Sequence, residues 1–238
     1  YPRIFEILDS IQPQAVVFGD GGPGCRWVGN EKGFAGETNW AFLRKGEVYP
    51  GYPKYKELQY GHADGNQWTP AECDVSIRPG WFYHPEEDGK VKSPDQLVDL
   101  YYRSVGHNAT LLLNFPVDRD GLIHPVDSAN AVRFHKIIER ELSHNLVAGM
   151  KPKVSNERGT EFAAKALTDN SWDTYWATAD GVTTADITFS FKKPQKINRI
   201  MLQEYIPLGQ RVKKFVVEYL DGKQWKPVSQ NEETTTIG

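Results

Sequence analysis

The texture of the chain changes at Met150-Lys151-Pro152, and that change restricts it to a molecule built in two parts. Before it, helical patterns alternate with short apolar runs. Ile4, Ile7, Leu8 and Ile11 keep helical spacing, Gln12-Pro13 stops that helix, and Ala15–Phe18 reads as a fully buried strand. Ser93-Pro94-Asp95-Gln96 carries an N-cap, a first-turn proline and the partner of a capping box. Leu97, Tyr101 and Val105 form the expected inner stripe, with Gly106 as its end. Ala109–Phe115 is too short and apolar for a typical helix and reads as a buried strand. Asp118-Arg119-Asp120-Gly121 marks a turn, and a helix is expected from about Ser128 to Leu142 with Val132, Ile138 and Leu142 inward. Such alternation indicates parallel α/β architecture, either barrel or open sheet. After Pro152, Ile187, Phe189 and Phe191 alternate, as do Phe215, Val217 and Tyr219, and Asp221-Gly222 signals a hairpin. This second texture predicts a β-sandwich. The fold class is therefore multidomain, α/β plus all-β, with domains at 1–147 and 148–238.

Composition removes several function classes. Lys and Arg number 28 against 31 acids, a net charge of −3, which gives no electrostatic case for nucleic acid or an anionic membrane surface. No apolar run approaches the roughly 20 residues of a membrane-spanning helix. Hydrophobic residues at 39% and aromatics at 12% are those of a folded chain, not a disordered one. Two cysteines, Cys25 and Cys73, allow one disulfide or none.

Two stretches could carry chemistry. Gly19–Ala35 follows a strand end and combines Asp20, Arg26, Trp27 and Glu31 with many glycines; its plain alternative is a surface loop. It lacks the Lys-Ser/Thr of a phosphate cradle. Trp68–His84 again sets aromatics beside Glu72, Asp74, Arg78 and His84, and its alternative is a rim of core aromatics with surface charges. Aromatic faces against C–H patches, with charged groups on hydroxyls, are how proteins hold sugars, so a polyhydroxylated ligand fits the pair best. Glu72-Cys73-Asp74 lacks zinc spacing, which argues against a transition metal.

Arg26-Trp27-Val28-Gly29-Asn30-Glu31, Trp68-Thr69-Pro70-Ala71-Glu72, Trp81-Phe82-Tyr83-His84 and Leu111–Pro116 together resemble glycoside hydrolase family 29, the α-L-fucosidases, over roughly residues 1 to 145. The similarity is closer to the branch specific for α-1,3/1,4-linked fucose in Lewis-type glycans. The resemblance implies the C-terminal half of a (β/α)8-like TIM barrel and a retaining double displacement by two carboxyl groups. Glu31 matches the general acid/base, for which partial burial is expected to hold the proton. Arg26, Trp27, Glu72, Arg78, Trp81, Phe82 and His84 are the implied substrate-binding residues, with Trp81 and Phe82 on the apolar side facing the fucose methyl. Of Glu72 and Asp74, which share a strand face, Glu72 is favoured. The family's nucleophilic Asp sits in a Trp-x-Asp-Gly-Ala strand end that has no match here; by spacing it falls before Tyr1, and Asp20 is not promoted in its place. Alone, the chain is expected to be inactive.

Ala166–Asn170 with Asp173–Thr178 resembles a discoidin-like (factor 5/8 type C) module, a galactose-binding-like jelly roll often used to bind carbohydrate. That similarity raises two readings of Asp169, a structural calcium ligand or a turn residue. The closing strands of such a module are not evident after Val228. No cofactor is expected for catalysis. The expected partner is a fucosylated oligosaccharide or glycoconjugate, and the expected location secreted or periplasmic. Two other readings compete: a glycan-binding protein with a degenerate barrel, and a sandwich that merely braces the barrel.

Overall fold

The structure, a computed structural model, describes residues 1–228; the question of closing strands after Val228 lies outside the described residues. The described residues pack into two compact units, one of residues 1–137 with 210–228, the other Ile138–Gly209. That division falls at Ile137/Ile138, before the expected 147/148 boundary.

The first unit is built on a four-stranded sheet of β1 (Phe18–Gly19), β2 (Cys25–Trp27), β3 (Ala71–Ser76) and β4 (Ala109–Asn114), in that order and parallel throughout. The in-register pairs Trp27↔Glu72 and Asp74↔Leu112 fix which residues share a face. One face is dry. Val28 packs with Ala35, Ala71 and Cys73, while Val75 and Ile77 meet Leu97 and Leu100 of α2 (Pro94–Ser104), with Leu111, Leu113 and Phe134 against them. Burying a side chain such as Leu97 contributes about 1.5–3 kcal/mol. The other face carries Cys25, Trp27, Glu72, Asp74, Ser76, Thr110, Leu112 and Asn114. Leu112 and Phe18 are exposed there.

α2 forms as its sequence dictates. Ser93 Oγ accepts from Gln96 N, and Gln96 Oε1 accepts from Ser93 N, closing the capping box. Ser93→Ala is expected to cost about 1 kcal/mol, read as a lower urea midpoint at unchanged slope, whereas Ser93→Gly costs only a few tenths. Its buried stripe is Leu97, Leu100 and Ser104. Val105 is exposed because the helix tightens into a 3-10 turn at Val105–His107, and Asn108 rather than Gly106 takes the left-handed conformation at φ 59°.

Several expected burials do not form. Of the expected strand Ala15–Phe18 only Phe18 is paired, in the two-residue edge strand Phe18–Gly19, and Val16 outside it is exposed because no described element packs over it. α1 (Pro2–Ile11) forms, yet its apolar stripe buries nothing. α3 begins at Pro125 rather than Ser128. Its inward residues are Asp127 and Phe134, with Val132 and Leu142 exposed, because the salt bridge of Asp127 sets which side faces the sheet. Cys25 and Cys73 are both free thiols on opposite faces, and burial pushes Cys73 up to about 12.

In the second unit, β5 (Lys153–Val154) pairs antiparallel with β6 (Ile187–Thr188), so only Ile187 of the alternating triplet lies in a strand. Tyr175 stacks on Tyr205 with ring centroids 4.4 Å apart. In the segment from Gln210 on, which belongs to the first unit, the hairpin signalled by Asp221-Gly222 forms: β7 (Glu218–Asp221) returns as β8 (Gln224–Pro227), with Gly222 at φ 63°. Among the described residues these strands pair as two-stranded ribbons.

Candidate active site

Parallel strands deliver the loops at their carboxyl ends to one end of the sheet, where α/β folds place their sites. The loop after β2 is forced into shape by its own residues. Gly29 has φ +80°, and a Cβ there would sit 2.2 Å from the Tyr55 carbonyl oxygen, so glycine is required. Asn30 then folds the turn: its Oδ1 accepts from Lys32 N at 2.9 Å and its Nδ2 donates to the Phe34 carbonyl at 3.0 Å. Glu31 is the exposed residue at the tip.

The loop after β3 approaches from the side. Asn114, the last residue of β4, donates from Nδ2 to Ser76 Oγ and to the Trp81 carbonyl, each at 3.1 Å. Trp81 Nε1 in turn donates to Glu31 Oε2 at 2.9 Å. The two sequence motifs thus meet through an indole and a carboxylate, 50 residues apart in the chain. Phe82 beside it is 78% exposed. His84 is also exposed, its Nδ1 3.9 Å from Glu86. Glu31 is not buried by any described residue, so the expected partial burial is not supplied within them.

Arg26 and Arg78 lie elsewhere than expected. Arg26 is 0% exposed; its Nε donates to Leu58 O, Nη1 to Thr69 O and Nη2 to Asn39 Oδ1, at 2.8, 2.5 and 2.6 Å. Desolvation lowers it to about 10, which leaves it a cation at neutral pH. Its alternation in β2 turns it to the dry face, where it ties three loops together. Arg78 binds Asp127 of α3 through Nε and Nη2, both at 2.8 Å, and Asp88 through Nη1 at 2.9 Å, over the Tyr83 ring. Both guanidinium groups brace loops, and neither faces solvent where a sugar could reach it.

On the open face, Trp27 donates from Nε1 to Asp74 Oδ1 at 2.8 Å and stacks on Tyr55. Glu72 receives Cys25 Sγ at 3.9 Å and Thr110 Oγ1 at 3.4 Å. Asp20 accepts from Gly51 N at 2.6 Å, which makes it a loop brace. Residues missed by sequence reasoning are Asp127 and Asn39, the buried partners of the two arginines, which left no signal in the sequence. Asp74 was weighed through its period-two spacing from Glu72 and set aside.

Two places could hold a cation. Glu47, Glu57 and His62 bring ligand atoms within 4.8 Å of one another. His62 Nδ1, however, accepts from Arg44 N at 3.0 Å, so the neutral ring carries its proton on Nε2, the atom facing Glu57 at 3.9 Å. A metal there would have to displace that proton, and the donor set does not fit. In the second unit, Asp169 Oδ1 accepts from Ser171 N at 3.0 Å and Oδ2 from Thr174 Oγ1 at 2.7 Å. The Thr174 bond is the main reason its carboxyl lies below the usual range. Both oxygens hold the turn, and among the described residues no group of three acidic, His or Cys ligands includes Asp169. On the turn reading, EDTA and added Ca2+ leave the melting temperature unchanged; a rise with Ca2+ concentration would favour the calcium reading.

A solved structure shares this fold. A candidate α-L-fucosidase of Bacteroides thetaiotaomicron is 42% identical over 100% of this chain and 53% of that one, with a TM-score of 0.92. The chain is similar to α-L-fucosidases. A candidate α-L-fucosidase 1 of Oryza sativa subsp. japonica is 40% identical over 240 residues, 98% of this chain and 45% of that protein. The Ruminococcus gnavus glycoside hydrolase family 29 fucosidase, solved in complex with fucose, is 32% identical over 94% of this chain and 45% of that chain, with a TM-score of 0.82. Residues 152–238 match the F5/8 type C domain. The chain spans about half the length of the fucosidases it matches.

Proposed function

We propose that this chain supplies the acid/base-bearing part of a retaining exo-α-L-fucosidase that releases terminal α-1,3/1,4-linked fucose from Lewis-type glycans. The observation that carries this reading is the Trp81 Nε1–Glu31 Oε2 bond at the carboxyl end of a parallel sheet. It joins the two fucosidase-like motifs at the place where such folds do chemistry.

Glu31 protonates the glycosidic oxygen as the bond to fucose breaks, then deprotonates the water that attacks the glycosyl-enzyme. A carboxylate outside this chain makes and breaks the covalent bond. The indole N–H of Trp81 keeps the Glu31 carboxyl aimed, and the exposed ring of Phe82 offers apolar surface to a 6-deoxy methyl. Glu72 binds a hydroxyl of the branched acceptor. A secreted or periplasmic enzyme would meet such glycans. Hydrolysis followed by proton NMR tests the reading. The first fucose released is expected as the α anomer, faster from a Lewis-type trisaccharide than from an α-1,2-linked disaccharide. Initial release of the β anomer would exclude the double displacement, and preference for the α-1,2 linkage would exclude the proposed specificity.

A further inference from the structure

With Arg26 and Arg78 committed to loop bracing, the charged side chains that the strands carry on the open face are the carboxylates Glu72 and Asp74. The two on β3 are held differently. Glu72 makes only long contacts, 3.9 Å to Cys25 Sγ and 3.4 Å to Thr110 Oγ1. Asp74 accepts from Trp27 Nε1 at 2.8 Å. The same indole lies against Tyr55, with centroids 6.5 Å apart and planes at 26°. Trp27 is thus fixed by a ring on its face and by a carboxylate at its edge, so its plane is set before any ligand arrives. That matters for a sugar platform, because an indole that must be ordered on binding subtracts that ordering from affinity. Burial pushes the Asp74 carboxyl up, and the charge of Glu31 adds to this. The carboxyl therefore sits in partly dehydrated surroundings, near the proposed acid/base, where a hydrogen bond holds more strongly than on a solvated rim.

We propose that Asp74 is a positioning residue for sugar binding: it fixes the indole plane of Trp27 on the open face beside the Glu31 loop. The inference rests on the reading of that face as a fucoside site. The contact itself is tested by the indole N–H resonances of the 238-residue chain, with the Trp27 signal assigned by its loss in Trp27→Phe. In Asp74→Leu that signal is expected to move upfield, and in Asp74→Asn, whose amide oxygen still accepts, to move less. In the intact enzyme, Asp74→Leu is expected to lower kcat/KM on a fucosylated oligosaccharide about 10- to 100-fold, mostly through KM, with Asp74→Asn recovering most of the loss. In a Trp27→Phe background the same change should add less than about twofold, because the group it acts through is gone. Should Asp74→Leu fail to fold, Asp74→Ser, whose hydroxyl is too short to reach the indole, takes its place in the cycle. An unmoved Trp27 resonance, or an equal loss in both backgrounds, overturns the role of Asp74 and leaves the Glu31 reading standing. A fucosidase indifferent to both Glu31→Gln and Trp27→Phe sinks that reading instead.

Discussion

Glu31→Gln in the intact enzyme is expected to lower hydrolysis of a natural fucosylated oligosaccharide by about 10²–10⁴-fold, the range lost with a positioned proton donor. The amide keeps the shape of the side chain, so Trp81 Nε1 can still donate to its oxygen and the loop formed by Gly29 and Asn30 stays as it is. What is lost is the proton. An aryl fucoside with a very good leaving group needs little protonation, so its first step is expected to suffer much less. Azide should restore turnover on that substrate by attacking the glycosyl-enzyme without base assistance. Equal losses on both substrates, with no azide rescue, would show that Glu31 serves binding or structure.

The second large effect falls on stability. Asp127→Ala is expected to cost about 3 kcal/mol, the low end of the range for breaking a buried ion pair, because Arg78 keeps Asp88 at 2.9 Å. For a chain of this size that corresponds to a fall in melting temperature of roughly 10 °C. Asp127 and Arg78 are both fully buried and joined by two bonds of 2.8 Å, so water cannot replace the lost carboxylate. The damage should also reach the site, because Arg78 leads into the loop that carries Trp81. The double change Arg78→Met with Asp127→Leu, which removes both charges, should recover much of the stability. An Asp127→Ala protein that melts like wild type would mean that the pair is solvated in solution.

How far these features could be read from the sequence depended on how local their causes are. The capping box of α2 was legible because Ser93, Pro94 and Gln96 lie within one turn. The apolar stripe of α1 gave the helix but not its surroundings: periodicity shows which face is apolar, and only the packing shows whether anything covers it. Asp127 lies 49 residues beyond Arg78, and no spacing rule connects them. For that reason Arg78 and Arg26 read as sugar ligands, although their charges are neutralised or hydrogen-bonded inside the fold. Glu31 and Trp81 were legible as members of specific motifs, while their mutual bond depends on the register of β2, β3 and β4. Asp74 was set aside in favour of Glu72 because motif matching ranks identity, whereas the tighter bond belongs to Asp74.

The most direct test of the proposed division of labour is to trap the covalent intermediate. The intact protein and the 238-residue chain are each incubated with a mechanism-based 2-deoxy-2-fluorofucoside, and the labelled peptide is mapped by mass spectrometry. The expected result is one label per intact protein on an aspartate outside residues 1–238, and none on the chain alone. A label on Asp20 or Asp74 would contradict it, since the chain would then hold its own nucleophile beside Glu31.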